Sequence, residues 1–488
     1  MNRAKSTLLA AVGLLLGAVC VPHAGAVVYQ SYQSQSVPLA LVDASAHIDV
    51  VWTEVAGGPP GACTTPAGFG APSAYNDDIS EPLALGFTFR FGGVAYTTVR
   101  VQSNGRLMFR STACGNGTDA RRNLPVWQFG PTLRVLGMDV DPSPAGTGTT
   151  CVAPSCHVRY FSDSGAKRFI VTWTAVPVFG NAAQRVTMQV ILDGNSGDFY
   201  YQYGALPGLP TTPSVAGWQV DVNDSAQETS VVAGISNTAK RYFIPAPMAV
   251  YSFEQNSYVA ANSILDTSGA NRHASPIGVS STAAGKVCRG LVVPANSSVA
   301  VTNAASTPVY ANTTLAGASK LGAAGTITFW YKSDSAWNAA VATLLDATLV
   351  TSGDKVFFLL KTAGGRLRFE VENTSDTNIK AESSAFGGIG PNEWHHIAIT
   401  WNFPAGRMAI YLDGALVRGR TGAAISQANF NTIHLGDNRG TSESSVARSA
   451  AGTLDEVRMY NYEAGGGLIR TDMNRNDCMS VDHFAFSH

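Results

Sequence analysis

The chain has 488 residues and a formal charge of −1 at pH 7, with 14% charged and 45% hydrophobic residues. So even a charge balance offers no electrostatic footprint for nucleic acid or an anionic membrane, and the length allows roughly two to four domains. The low charge, the 49 Gly and 23 Pro, and the recurring short runs of Thr, Val, Ser and aromatics exclude a protein built on long amphipathic helices. They predict an all-β fold.

Residues 1–26 have the features of a signal peptide. Arg3 and Lys5 form a basic start, Leu8 to Val19 is apolar, and Ala24-Gly25-Ala26 supplies small residues for cleavage. The apolar run is too short to span a bilayer. Val19 before Cys20 argues against a lipid anchor. No transmembrane segment is expected further along, and the mature chain is expected to be exported.

Six cysteines remain: Cys63, Cys114, Cys151, Cys156, Cys288 and Cys478. In an oxidising compartment an even number reads as disulfides. Sequence order suggests Cys63–Cys114, Cys151–Cys156 and Cys288–Cys478 among several formally possible pairings. Cys151 and Cys156 with His157 lack a second ligand pair for zinc, so a small disulfide loop is expected there.

In chain order, residues 27–40 are polar and Gln/Ser-rich, and Pro38-Leu39-Ala40-Leu41 leads into a strand. Residues 56–80 read as a long exposed loop carrying Cys63. Leu85 to Phe91 alternates apolar and polar positions, and Ser103-Asn104-Gly105 is a hairpin signal between Tyr96–Val101 and Leu107–Phe109. Leu136 to Pro142, Phe169 to Trp173, Val186 to Leu192 and Phe199 to Tyr203 follow as strands, then Trp218–Val220 and Val231–Ile235. These runs resemble the nidogen-like extracellular β domain, which implies such a domain over residues 27–244.

Asp139 and Asp141 are two apart, so both lie on one strand face. That suits calcium ligands, catalytic carboxylates or a strand end facing water. The sequence leaves all three open.

Ile244-Pro245-Ala246-Pro247 marks a boundary, because two prolines in three residues bar a continuous strand. Beyond it, Ile327–Tyr331, Trp394–Trp401 and Met408–Leu412 alternate with period two, and Asp413-Gly414 supplies the positive φ angles of a tight hairpin turn. Further strands are expected at Val341–Val350, Val356–Leu360, Leu367–Val371 and Thr432–Asp437. No helical periodicity stands out apart from a turn at Ala464 to Met473.

Trp394-His395-His396-Ile397-Ala398, Ile410-Tyr411-Leu412-Asp413-Gly414 and Leu454-Asp455-Glu456-Val457-Arg458-Met459-Tyr460-Asn461 resemble the laminin-G-like, concanavalin A-like jelly roll. The resemblance implies such a domain over residues 248–477, giving two β-sandwich domains in all. It implies that the strand Thr453 to Tyr460 lies beside the segment opening the domain. Asp266 to His273 resembles the family's D-x-S-G-N-x-H opening loop, with Ala270 before the Asn. By position it implies a structural Ca2+ held by Asp266, Asn271 and Asp455. The competing reading is that Asp266 caps a turn and Asp455 pairs with Arg458.

Residues 478–488 read as the start of a truncated further β domain. The Cys478 and Val481-Asp482-His483-Phe484 tail after a jelly roll resembles the MshQ-like family of mannose-sensitive haemagglutinin pilus biogenesis.

No Gly-x-Ser-x-Gly, His-Glu-x-x-His or phosphate-binding glycine loop occurs. Glu370 and Glu372 share a strand with Arg366 and Arg368 and read as a charged solvent face. They lack the third acid of a jelly-roll glycosidase. His395 and His396 are adjacent on a strand and point to opposite faces, one packed and one exposed.

The export signal and cysteines, with what these resemblances imply, point to a non-catalytic, exported adhesion or interaction protein binding protein or glycan at the cell surface, with pilus components among the candidate partners. The alternatives are a lectin using exposed aromatics such as Trp337 or Trp127, and a divergent glycoside hydrolase with a carboxylate pair in a cleft.

Overall fold

The structure, a computed structural model, describes residues 29–52, 64–69, 77–115, 119, 121–144, 151–206, 215–228, 235–278, 280–301, 321–348, 356–426, 433–437 and 448–478. The segments expected to be a signal peptide (1–26) and a C-terminal strand (481–486) lie outside the described residues, as does Cys63. Among the described residues no helix is long and apolar enough to cross a membrane, which says nothing of a β-barrel.

The first sandwich stacks a six-stranded antiparallel sheet on a seven-stranded one. The six-stranded sheet runs in space Asp224–Glu228, Val215–Asp221, Thr132–Gly137, Arg106–Met108, Val94–Gln102 and Leu83–Phe91. The seven-stranded sheet runs Gln33–Val37, Thr238–Phe243, Phe199–Tyr203, Asn181–Asp193, Arg168–Val178, His157–Asp163 and Ile48–Asp49. Alternate residues meet between the sheets. Leu85, Phe89, Phe91, Val99, Trp173, Met188, Phe199, Tyr201 and Trp218 belong to one core.

The alternation holds from Leu83 to Phe91, with Leu85, Phe89 and Phe91 buried and Gly86, Thr88 and Arg90 exposed, while Gly86, at φ +78°, sits inside the register shift between Ala84 and Phe89. A Cβ there would lie 2.7 Å from Ser162 Oγ.

The polar stretch at 27–40 is more structured than its composition suggests. Tyr29, Ser31 and Tyr32 are buried, and Gln33–Val37 pairs with Thr238–Phe243. Residues 38–42, expected to lead into a strand, are instead an extended segment lying across the sheet. Gln202 accepts the Ala40 N–H (2.8 Å) and donates to its carbonyl (3.0 Å). Gln189 does the same for Val42, at 3.0 and 2.9 Å. Two side-chain amides thus stand in for a strand partner.

The second sandwich is the jelly roll. Its eight-stranded sheet holds Ser281–Ala284, Arg289–Val293, Gly452–Tyr460, Ala324–Ser333, Trp394–Asn402, Arg407–Leu412 and Ala415–Arg420, with Ala249–Tyr251 also on Gly452–Tyr460. The opening strand therefore joins the last one, Val250 opposite Arg458. The facing seven-stranded sheet holds Ser275–Ile277, Ser298–Val301, Ile433–Leu435, Ala342–Asp346, Phe357–Lys361, Leu367–Glu372 and Asn378–Glu382. Ile327, Phe329, Leu345, Leu359, Phe369, Ile397, Ile399 and Trp401 fill the space between. Asp413 and Gly414 adopt φ of +50° and +77°, so Leu412 pairs with Ala415 across the tight turn.

The turn expected at Ala464–Met473 is a helix, Gly466–Met473 (α1). Its two opening glycines are poor helix formers, so packing rather than propensity holds it. Leu468 and Ile469 bury against Ala398, Ala409, Tyr411 and Tyr460 on the outer face of the eight-stranded sheet. Asp472 accepts from Thr328 Oγ1 (2.9 Å) and the Tyr460 hydroxyl (2.8 Å).

Candidate functional site

The acids at the end of Thr132–Gly137 do not act as a pair. Asp141 turns back on its own loop, accepting the Ser143 N–H at 3.0 Å and the Ser143 hydroxyl. Asp139 is half-buried, and desolvation, with Asp77 and Asp141 nearby, pushes its carboxyl up to about 6. Asn104 stitches the region, donating to Asp77 (2.9 Å) and accepting the Val140 N–H (2.9 Å). Sequence reading used Asn104 only as half of a turn. Nothing in its spacing signalled the contact with Asp77. Among the described residues no three His, Cys, Asp or Glu side chains are placed to share a metal ion.

The residues implied as calcium ligands have separate partners. Asp266 Oδ1 accepts the N–H groups of Val250 and Ser268, and Oδ2 that of Arg272, each at 2.9 Å. It ties the opening strand to its following loop. Asn271 is exposed at φ +56°. Asp455 is fully buried, and its Oδ2 accepts the Val287 N–H at 2.8 Å, closing the Ser281–Ala284 to Arg289–Val293 hairpin. Its Oδ1 has no hydrogen-bond partner. Oδ1 of Asp266 has both lone pairs engaged by backbone donors, which leaves Oδ2, with one, as the oxygen able to meet a cation. Arg458, the expected partner of Asp455, instead meets Glu456 (2.5 Å) and Asp472 (3.9 Å).

Burial pushes the Asp455 carboxyl up to about 8. The folded chain then holds a proton that the unfolded chain releases near 4. This contribution to stability is complete below about pH 4 and is lost as pH rises through about 8. Asp455→Asn, which keeps the acceptor and cannot ionise, is expected to melt higher than the parent at pH 9, by about 2–4 kcal/mol in unfolding free energy. Melting curves from pH 4 to 9 check this, and parallel curves for the two proteins would refute it.

His396 is buried against Trp330, and burial pushes its imidazole down to about 4. His395 hydrogen bonds Asp413 at 2.9 Å, which raises its pKa. They face opposite ways, as adjacent strand residues must. Glu370 is only 7% exposed rather than on a solvent face. Arg368 bridges it (3.8 Å) to Glu382 (2.5 Å). Trp337 is no groove aromatic. It is 1% exposed, packed edge-on to Phe386 and His395. Trp127 is 73% exposed in a short 3-10 turn.

Cys151–Cys156 and Cys288–Cys478 are disulfides, with Cα separations of 4.9 and 5.9 Å. Cys114 is also disulfide-bonded.

The arrangement that sequence reading missed altogether is the joint between the sandwiches. Asp224, from the first, caps α1 of the second. Its Oδ2 accepts the Gly467 N–H (2.6 Å) and the Ser31 hydroxyl (2.6 Å), and its Oδ1 the Ser31 N–H (2.9 Å). Ser31 Oγ accepts the Leu468 N–H (2.8 Å). The helix's orphan donors and its positive end are thereby met by a carboxylate from 243 positions away. Arg470 adds bonds to the Gly92 carbonyl (3.1 Å) and Asp221 (3.0 Å), and Asn474 one to the Gly93 carbonyl (2.9 Å).

The approach requires glycine on both sides. A Cβ on Gly467 would lie 2.7 Å from Asp224 Oδ2, and one on Gly93 would lie 2.5 Å from the Arg470 backbone.

Beside this joint the sandwiches enclose a crevice of about 340 Å3, lined by Gln30, Gln33, Ala324, Asn402, Arg407, Asn461, Tyr462 and Glu463. Arg407 Nε meets both Glu463 oxygens at 2.9 Å.

With this geometry in hand, residues 299–466 match the concanavalin A-like lectin/glucanases superfamily, and residues 62–256 match the family described as NIDO related. Two curated relatives, from mouse and rat, are the sushi, von Willebrand factor type A, EGF and pentraxin domain-containing protein 1, 29% and 28% identical over 142 residues. The match takes in 28% of this chain and only 4% of either relative. Among solved structures, the receptor-binding domain of botulinum neurotoxin D covers 47% of this chain and 52% of its own, with 12% identity and a TM-score of 0.35. Domain 4 of the Geobacillus stearothermophilus arabinanase AbnA, in complex with arabinotriose, covers 47% and 98%, with 16% identity and a TM-score of 0.34. Likeness at this level carries no argument about this chain. The chain is an all-β protein of two sandwiches, the second a concanavalin A-like, laminin-G-like jelly roll.

Proposed function

We propose that this chain is an exported, non-catalytic adhesion or interaction protein, of the MshQ-like kind that serves pilus biogenesis. The observation that supports it most is the pairing of a NIDO-related sandwich with a concanavalin A-like one in a disulfide-bonded chain. Disulfides fit a compartment outside the cytoplasm. The acids singled out in the sequence close turns and strand ends, which suits a scaffold presenting surface. A lectin is the second reading, favoured by Trp127, whose exposed indole offers a stacking face. Calcium is a further proposal, resting on the unpartnered Asp455 Oδ1.

The test is capture by the recombinant two-sandwich chain on glycan arrays and on immobilised pilin subunits, with and without chelator. Saturable capture of a glycan or pilin is expected, with no release of reducing sugar. Failure of both captures, or turnover of a glycan, would overturn the reading. Capture unchanged by chelator, with no calcium in the purified protein, would withdraw the metal.

A further inference from the structure

We infer that the crevice between the N-terminal segment and the jelly roll is a binding site for a neutral saccharide. The inference rests on the reading of the chain as a binding protein, and adds where a ligand sits and what kind it is.

The chemistry of the lining carries it. Gln30, Gln33 and Asn402 bring amide side chains, each both donor and acceptor, to one space of about 340 Å3. That is within the size range of small-molecule sites. Ala324 supplies the one small apolar surface and Tyr462 a half-buried ring. The charged lining residues, Arg407 and Glu463, neutralise each other through a two-pronged pair that fixes both side chains.

A site with no net charge has nothing to hold an anion or a cation. One with this little apolar surface does not suit a lipid or an apolar peptide side chain. Hydroxyl-rich ligands match amides, which can donate to one hydroxyl and accept from its neighbour. Tyr462 closes one side of the space with a ring that packs on Tyr460. The glutamines come from ahead of the NIDO-related match and the other residues from the concanavalin A-like one, so the site exists only in the joined molecule.

The experiment is calorimetric and saturation-transfer NMR titration of the whole chain with the methyl glycosides of glucose, galactose and N-acetylglucosamine and with lactose. Variants are Gln33→Ala, on an exposed edge position, and Asn402→Asp. The latter keeps the oxygen that accepts the Ala405 N–H at 3.2 Å and removes the amide donors. Val51→Ala, at an exposed position of the first sandwich, is the control. At least one probe is expected to bind saturably, about tenfold more weakly to each crevice variant and unchanged with the control.

No binding by any probe, or binding that both crevice variants leave intact, or binding abolished by Val51→Ala, would overturn the inference. If arrays or pilin are still captured in that case, the crevice assignment falls and the adhesion reading stands. Crevice binding without capture on either surface sinks the adhesion reading alone.

Discussion

Asp224→Ala is expected to destabilise the chain by about 2–4 kcal/mol at pH 7 and to free the two sandwiches from each other. The substitution strands two backbone N–H groups, those of Ser31 and Gly467, in a buried joint. Each such orphan costs about 1–3 kcal/mol. The loss is partly offset, because burial pushes the Asp224 carboxyl up to about 6, so the ionised form is itself disfavoured at neutral pH.

Asp224→Asn separates the two effects. It carries no charge but keeps only one of the two oxygens, so one backbone N–H stays paired and the other meets an NH2, and the variant should fall between the alanine variant and the parent at pH 7. The sign of the pH dependence follows from the raised folded pKa. The parent's advantage is complete below about pH 4 and is lost as pH rises through about 6. Melting curves measure the first effect, and small-angle scattering measures the widening of the molecule for the alanine variant. An alanine variant as compact and as stable as the parent would refute the capping role.

Breaking Cys288–Cys478 is the second large effect. The bond spans 190 positions, and a loop of that length removes conformational freedom from the unfolded chain worth about 2–5 kcal/mol when cross-linked. It also ties the segment following α1 to the hairpin that Asp455 closes, so its loss frees the helix that carries the joint. Cys288→Ser with Cys478→Ser should lower the melting point and expose the chain to trypsin after Arg475. The Cys151–Cys156 loop, five positions apart, should matter less. Equal losses from the two double variants would contradict this ordering.

Much of the fold was legible in the sequence because its signals are local. Period-two alternation at Ile397–Trp401 and Met408–Leu412, with Asp413-Gly414 between hairpin arms, specifies pairing and register at once. His395 and His396 were readable for the same reason. What escaped reading depends on partners far along the chain. Gln189 and Gln202 are polar residues in strands, and only the fold shows that they hold Ala40 and Val42.

Trp337 looked like a surface aromatic but packs inward beside His395, because aromatics serve cores and binding faces equally well. Gly465-Gly466-Gly467 signals the end of any helix by propensity. Here it opens one, since the glycines make room for another domain. Asp266 was read as either turn cap or metal ligand, and the structure shows its oxygens engaged by three N–H groups.

The glycine contact has a consequence for avidity. With backbone pressed on backbone at Gly92-Gly93 and Gly467, and with Arg470 and Asn474 bonded across, the two sandwiches share a fixed span rather than a swivelling tether. A partner that engages both would meet its second foothold already in place. The gain then depends on whether its own spacing matches that span, and a mismatched partner would forfeit the gain entirely.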